Sequence, residues 1–337
     1  MRVVAFSLFL LLSAVCAPAM AQSTALEENQ KAVIVLDVRL DSIRNSDLAK
    51  QMNLAEKLST LQGESDQGID PATLDRIQVA LSAPENMESA MTLQFGQLPM
   101  EFFAKMVFND EAAVEKFVNQ IKEDSGGTVE NDGKTYYKPP AEVNGPEGLL
   151  MHQVDAKTVE VGTEAYLFRT DRKVFTDNLT TAAESSPAGA VRLAIDLSGA
   201  EGLVSEMITM GKQQAPDPTV EIYMELIDNM KDIAISLDVS GGDLLSIKAT
   251  GVDAAQAQEL KEGLDSLLGM AKISIQGMLP MIRQQDADGA AVVEKLADSL
   301  NATNEDIAVS IKIPMPEGFE DWVVKQVNQL PIFGGDF

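Results

Sequence analysis

The apolar positions in the first part of the chain alternate in some segments and recur every three to four residues in others. The run AVIVLDVRL at 32–40 predicts a strand, and apolar residues at helical spacing follow over 48–61. Alternating apolar residues at 77–81 and 91–95 predict a hairpin. Asp110 has the position of an N-cap for a helix that extends to about residue 121. The predicted order is strand, helix, hairpin, helix.

The same order recurs in the second part of the chain. The run AVRLAIDL at 190–197 resembles the first strand. Helical spacing follows over 203–210, and a second helix is predicted over 222–230. Alternating residues at 233–239 and 245–249 flank Ser-Gly-Gly-Asp, which is typical of a hairpin turn, and a helix begins near Asp253. The first strands are offset by 158 positions and the hairpins by 156. This agreement predicts an internal repeat.

The two halves differ after this common part. The first half continues with four short strand-like segments within 134–169 and a helix from about Asp171. The second half has a long helix over about 253–283, followed by a helix, a strand and a last helix. Pro280 is expected to kink the long helix or to end it. The apolar positions of this helix form a near-heptad seam of Leu260, Leu264, Leu267, Ala271, Ile275, Met278 and Ile282.

These elements predict an α+β protein. Its two related halves are each a mainly antiparallel sheet with helices packed on one face, and the second half adds the long helix. We expect the first repeat at 22–186 and the second at 187–337, with the joint between them at 182–187. A chain of 337 residues is long enough for two hydrophobic cores.

The first 21 residues have the pattern of a secretory signal peptide. Arg2 supplies a positive charge, 3–15 is an apolar run, and Ala-Met-Ala at 19–21 is a small-residue cleavage motif. We expect cleavage after Ala21 and a periplasmic or extracellular location in a bacterium. Lipidation of Cys16 is the weaker alternative, because the residues before it match the usual lipidation motif poorly. Cleavage leaves no cysteine, so the exported chain is expected to be free of disulfides.

The charge balance narrows the range of partners. The chain has 52 acidic and 26 basic residues, a formal net charge of -26, so binding of nucleic acid through a basic face is not expected. The most apolar later stretch, 264–282, contains Asp265, Lys272 and Pro280, and no transmembrane segment is expected after the leader. An envelope protein or an apolar ligand is the kind of partner that remains.

The sequence lacks the residues from which most familiar catalytic and metal sites are built. His152 is the one histidine, and its setting in a predicted strand favours a structural role. The exported chain cannot supply two His or Cys ligands for zinc. The sequence Asp-Ala-Asp-Gly at 286–289 resembles part of a calcium loop, but Gln284 and Lys295 occupy its first and twelfth positions. A helix junction with an acidic N-cap is the favoured interpretation, and no catalytic residue, metal or cofactor is expected.

Two further features keep a functional alternative open. Paired carboxylates could support hydrolysis, although 52 acids make chance pairs common and Trp322 is expected in the core rather than at a sugar site. The segment 98–108 concentrates Phe and Met. A core helix is the favoured interpretation of this segment. An exposed apolar contact surface is the alternative, and its residues would be Phe102, Phe103, Met106 and Phe108.

Four segments carry a resemblance to a known group of proteins. They are AVIVLDVRLDSI, KTVEVGTEAYLFRTD, AVRLAIDLSGAEGLV and EDIAVSIKIPMP. In this order they resemble an uncharacterised family of exported bacterial two-repeat α+β proteins. The resemblance implies export and a repeat fold, and it implies no activity and no site residues.

The expected function is that of an exported non-catalytic protein, a periplasmic or cell-surface binding or structural module. The lack of a nucleophile or metal constellation in the sequence favours it. The first alternative is a carrier of an apolar, lipid-like ligand, and the second is a carboxylate-dependent hydrolase.

Overall fold

The computed structural model describes residues 31–54, 70–82, 102–139, 148–169, 174–185, 189–200, 204–205, 209, 222 and 225–329. These residues belong to two compact units. The first unit contains the described parts of 1–41, 58–180 and 199–206, and the second contains those of 42–57, 181–198 and 207–337. The signal peptide, Cys16 and the predicted strand at 91–95 lie outside the described residues.

The longest described helix lies in the second half and has 32 residues, and the longest in the first half has 14. The described helices are α1 (Leu40–Asn45), α2 (Asp47–Gln51), α3 (Glu111–Asp124), α4 (Glu164–Leu167), α5 (Asp177–Ser185), α6 (Ala254–Gln285), α7 (Ala287–Ser299) and α8 (Phe319–Gln329). The predicted joint at 182–187 overlaps α5, and the division between the units falls within this helix, at Thr180 and Thr181.

The first unit contains seven described strands that pair antiparallel. They are β1 (Ala32–Arg39), β2 (Leu74–Ser82), β3 (Phe102–Phe108), β4 (Thr128–Asn131), β5 (Lys134–Tyr137), β6 (Leu149–Gln153) and β7 (Thr158–Thr163). Their order in the sheet is β1-β2-β3-β7-β6-β5-β4.

Helix α3 covers part of the apolar face of this sheet. Asp110 caps the helix as predicted, because its side chain accepts a hydrogen bond from the backbone N–H of Ala112 at 3.1 Å. Val114 and Val118 are buried in one cluster with Met106 and other apolar strand residues. The spacing of four residues places both valines on one side of the helix, which is therefore the side that faces the sheet.

The second unit contains five described strands. They are β8 (Val191–Asp196), β9 (Met230–Leu237), β10 (Asp243–Gly251), β11 (Ala302–Glu305) and β12 (Ala308–Pro314). They pair antiparallel in the order β8-β9-β10-β12-β11. The predicted hairpin over 233–249 is confirmed as β9 and β10, and its turn contains Gly241 at φ 108, a conformation that favours glycine.

Helix α6 packs on one face of this second sheet. Asp253 caps its start, as predicted, by accepting from the N–H of Gln256 at 2.9 Å. Leu260 is buried with Val309 of β12 and with Leu226. The α+β class, the antiparallel sheets with helices on one face and the long helix in the second half are thus confirmed.

The two units share an order of elements. In each, a first strand pairs with a hairpin, a helix follows the hairpin, and a later strand pairs beside the hairpin's second strand. In the first unit these strands are β1, β2, β3 and β7, and in the second they are β8, β9, β10 and β12. The extra hairpin β4–β5 distinguishes the first unit. An internal repeat by duplication stays a prediction.

Helix α6 has 32 residues. At 1.5 Å per residue it spans about 48 Å. It does not end at Pro280, because helical structure continues to Gln285. Asp286 then begins α7 as its N-cap, accepting from the N–H of Gly289 at 3.2 Å.

Candidate functional site

The segment that carries the predicted contact residues forms β3 rather than a helix. Met106 and Phe108 are each 1 % exposed, and they lie in the core cluster that contains Val114 of α3. Phe103 is buried as well, while Phe102 is half-buried and packs beside Val79 and Leu81. The burial corrects the surface alternative for this segment, since side chains enclosed in a core do not present a contact surface.

His152 lies in β6, where its half-buried ring contacts two residues of β5. Its Nδ1 is 3.0 Å from the carbonyl oxygen of Thr135, and the ring centroid is 4.9 Å from that of Tyr136. Tyr136 itself is buried, and burial raises its pKa. These two contacts support the structural role predicted for this histidine.

The sequence that resembles a calcium loop is the junction between α6 and α7. The carboxylate of Asp286 accepts hydrogen bonds from the Trp322 indole at 2.9 Å and from the Gln326 amide at 3.0 Å. Lys325 Nζ is 3.3 Å from the same carboxylate. The N–H of Gly289 is the main cause that lowers the pKa of Asp286. These contacts occupy the carboxylate within the fold, as the helix-junction interpretation requires.

Metal-binding residues do not cluster in the part of the chain that the structure describes. No group of three or more His, Cys, Asp or Glu side chains there is arranged to hold a metal ion.

Two buried carboxylates face each other across β8 and β9. Asp196 and Asp232 are directly opposite in the register, and they are 1 % and 7 % exposed. Burial raises the pKa of Asp232, and the charge of Asp196 adds to that rise, while a hydrogen bond from Thr250 opposes it. The hydroxyl of Ser198 donates to Asp196 at 2.7 Å. This pair is the carboxylate arrangement of the described residues that comes nearest to an acid–base site.

The burial of this pair is the main physical obstacle to catalysis. A carboxylate that protonates or attacks a substrate must come within about 3 Å of it. Asp196 and Asp232 lie on the sheet face opposite Ile233 and Val309, and little of either side chain is accessible. In the first unit, buried Asp37 is likewise engaged, because Arg76 donates to both of its oxygens at 2.6 and 2.9 Å.

The C-terminal half of α6 exposes a group of large apolar side chains. Met270, Ile273, Met278 and Met281 are 39, 71, 46 and 57 % exposed, and we call these four the α6 apolar face. At 100° per residue they occupy an arc of about 140° on one side of the helix. The N-terminal half of the same helix buries its leucines on the sheet. The helix therefore changes along its length from a packed element to an exposed apolar one.

The sequence around this face is unlike the rest of the chain in charge. Residues 266–285 contain no Asp or Glu, whereas 20 residues at the average density of 52 acids in 337 would contain about three. This is the longest acid-free run after Glu27. Its charged residues are Lys272 and Arg283, and Arg283 pairs with Glu294 of α7 at 2.7 Å. The helix segment that carries the exposed apolar face thus has no carboxylate of its own.

Sequence reasoning missed the α6 apolar face. The predicted heptad seam placed Met278 among the buried positions, but Met278 is exposed and the adjacent Leu279 is buried. The absence of acids over 266–285 was the signal in the sequence that could have identified this surface, because an exposed helix face in this chain usually carries them.

Comparisons with known proteins found remote structural neighbours. No protein-family model and no curated protein matches the chain. Three solved structures that match are crystal forms of TP0453, a Treponema protein, with TM-scores of 0.36, 0.36 and 0.37 for forms IV, III and I. Their sequence identities are 9, 10 and 11 %. The matches cover 89, 89 and 88 % of this chain and 94, 96 and 93 % of those chains. Similarity at this level carries no argument about function.

The helices of the described residues are not of the membrane-spanning kind. None of these helices combines the length and the apolar character that a bilayer crossing requires.

Proposed function

We propose that this protein is an exported, non-catalytic binding module of the bacterial envelope and that the α6 apolar face is its binding surface. The observation that carries the proposal is the exposure of four large apolar side chains within 12 residues of an acid-free run. The largest exposed apolar patch of a protein is often a functional surface, which supports this assignment. Residues 1–21 support export, because their charge, apolar run and cleavage motif are those of a signal peptide.

The non-catalytic part of the proposal is supported by how the candidate reactive groups are engaged. His152 is held against Thr135 and Tyr136, and Asp286 caps a helix. Asp196 and Asp232 are buried in a sheet. The contacts of each group within the fold explain its position without a catalytic role.

Export is tested by producing the full chain, with its leader, in a bacterium and sequencing the N-terminus of the periplasmic product. The expected product begins at Gln22. A variant in which Ala19→Arg and Ala21→Arg disrupt the cleavage motif should retain the leader. Recovery of the unprocessed wild-type chain from the cytoplasm would overturn the export part of the proposal.

Binding through α6 is tested by site-specific crosslinking in the producing cell's own envelope. The processed chain has no cysteine, so Ile273→Cys creates a single attachment point for a photoreactive benzophenone. The matched control is Val252→Cys, because Val252 is 59 % exposed and lies outside the α6 apolar face. An adduct from position 273 and none from position 252 is expected. Equal labelling from both positions would count against a specific surface.

The apolar-ligand carrier is the first alternative, and the same crosslink examines it. A carrier encloses its ligand, whereas the apolar residues that support binding here lie on the exterior. An enclosed ligand would give no adduct at position 273 but would co-purify with the protein, as native mass spectrometry would show.

A carboxylate-dependent hydrolase is the second alternative, and the raised pKa of Asp232 opposite Asp196 is the observation in its favour. A hydrolytic activity lost in both Asp196→Asn and Asp232→Asn would replace the non-catalytic proposal.

A further inference from the structure

We infer that the partner of the α6 apolar face is the phospholipid surface of a membrane, on which α6 lies parallel to the bilayer plane. This inference rests on the proposed binding function and names the partner. Interfacial helices place an apolar face about 5–10 Å into the boundary between headgroups and acyl chains. Ile273 is the most exposed of the four residues of the face, and Met270 and Met281 flank it along the helix.

The absence of acidic residues fits a lipid partner. An acid at the contact would have to leave water or meet lipid phosphate, and both are unfavourable. The chain has a net charge of -26, yet the 20 residues around the face contain no Asp or Glu. The exposed residues between the apolar ones, Ser274, Gln276 and Gly277, are uncharged. A neutral face suits a zwitterionic lipid surface better than an anionic one, which the rest of this acidic chain would repel.

The size of the face argues against a second copy of the chain as its occupant. The four exposed fractions add up to about two complete side chains, or roughly 400 to 500 Å². A stable dimer interface buries about 800 Å² on each partner. The face alone therefore provides little more than half of the area that a specific dimer needs. A bilayer has no such requirement, because it surrounds any apolar surface that enters it.

The residue types argue against a specific protein partner. Binding energy in protein interfaces is concentrated in Trp, Tyr and Arg. Residues 266–285 contain no aromatic residue, and their one arginine, Arg283, is paired with Glu294. Met side chains are unbranched and flexible, so three Met on the face let it adapt to a fluid apolar phase without one fixed geometry.

The test is flotation of the processed protein with phosphatidylcholine vesicles. The wild type is expected to float with the vesicles, and the fraction bound should change little between low and high salt. The double variant Ile273→Asn, Met281→Asn should lose at least tenfold in partitioning. Val252→Asn, which alters an equally exposed apolar side chain outside the face, should bind like the wild type. All variants are expected to fold, because each changed side chain is exposed. Circular dichroism melting verifies this.

Three results would overturn the inference. They are a wild type that does not float, a double variant that floats as well as the wild type, and equal losses in the double variant and in Val252→Asn. Light scattering after size exclusion provides a fourth: a wild-type dimer that the double variant converts to a monomer assigns the face to a second copy. In that last case, or with a protein adduct at position 273 in the crosslinking experiment, the proposed binding function stands while the lipid partner fails.

Discussion

Trp322 of α8 donates its indole N–H to the carboxylate of Asp286, the N-cap of α7, across 2.9 Å. The contact joins two parts of the second unit that are 36 residues apart in the chain. Because Asp286 also accepts from the N–H of Gly289, one side chain both starts a helix and attaches α8 to it. Trp322 is half-buried rather than enclosed in a core as predicted, and its contact with Asp286 is polar.

Removal of the indole donor should destabilise the second unit. Trp322→Phe keeps an aromatic ring beside Phe319 but leaves Asp286 without this hydrogen bond. Because the charged acceptor loses a donor, the unfolding free energy in urea should fall relative to the wild type. A double-mutant cycle with Asp286→Asn isolates the contact, and a coupling energy of zero would contradict the assignment.

Two glycine substitutions should have opposite effects on stability. A Cβ at Gly289 would lie 2.5 Å from Nε1 of Trp322 and 2.7 Å from a carboxylate oxygen of Asp286. Gly289→Ala should therefore displace the indole and lower the unfolding free energy by about 1 to 3 kcal/mol. Gly277 of α6 has nothing within 4 Å of the same position.

The matched control is Gly277→Ala, which should raise stability by up to about 1 kcal/mol through helix propensity. Urea denaturation of the two variants measures both effects. A gain of stability in both variants would show that the side chains of Trp322 and Asp286 move to accommodate the added methyl group.

Elements that depend on local signals could be predicted from the sequence. The N-caps Asp110 and Asp253 each precede a run with helical spacing, and in the structure each accepts a backbone N–H of its helix. The turn of the β9–β10 hairpin contains two glycines and an acid, which specify a tight reversal. Such features involve residues within four positions of one another, so contacts with distant parts of the chain hardly change them.

Elements that depend on distant partners were predicted less well. The β3 segment Phe-Phe-Ala-Lys-Met-Val-Phe is almost continuously apolar, and such a run does not distinguish a helix from a buried strand. The segment forms a strand because it pairs with β2 on one side and with β7 on the other. Likewise, periodicity identifies Met278 as apolar but not whether another element covers it. The acid-free run over 266–285 indicates an unusual helix face, but the exposure of its side chains follows only from the placement of α6 and its neighbours.

Truncation of Phe108 should be far more costly than truncation of Ile273. Phe108 is buried in the core of the first unit, so Phe108→Ala removes contacts and leaves a cavity, at a cost of about 3 to 5 kcal/mol. Ile273→Ala removes an exposed side chain and should change stability by less than about 0.5 kcal/mol. Thermal melts of the two variants make the comparison. Similar melting temperatures would restore β3 as a candidate surface.

Substitution of Asp232 should alter the dependence of stability on pH. Burial, with the charge of Asp196 opposite, raises its pKa in the folded state. A raised pKa means that the folded state binds the proton more tightly than the unfolded state, in which Asp titrates near about 3.9. The contribution of Asp232 to stability is therefore fully present below that pH and is lost as the pH rises through the folded-state pKa. At pH 7 the buried charge is a cost.

Asp232→Asn removes this ionisation and keeps an oxygen that accepts from Thr250. The variant should be more stable than the wild type at pH 7, and the difference should shrink as the pH falls towards 4. Loss of one negative charge from a chain of -26 also relieves general repulsion, so Glu259→Gln, an exposed side chain of α6 outside the first and last turns of the helix, serves as the control. Urea midpoints of the three proteins at both pH values measure the effect. An equal gain in the two variants would assign it to net charge rather than to the facing carboxylates of β8 and β9.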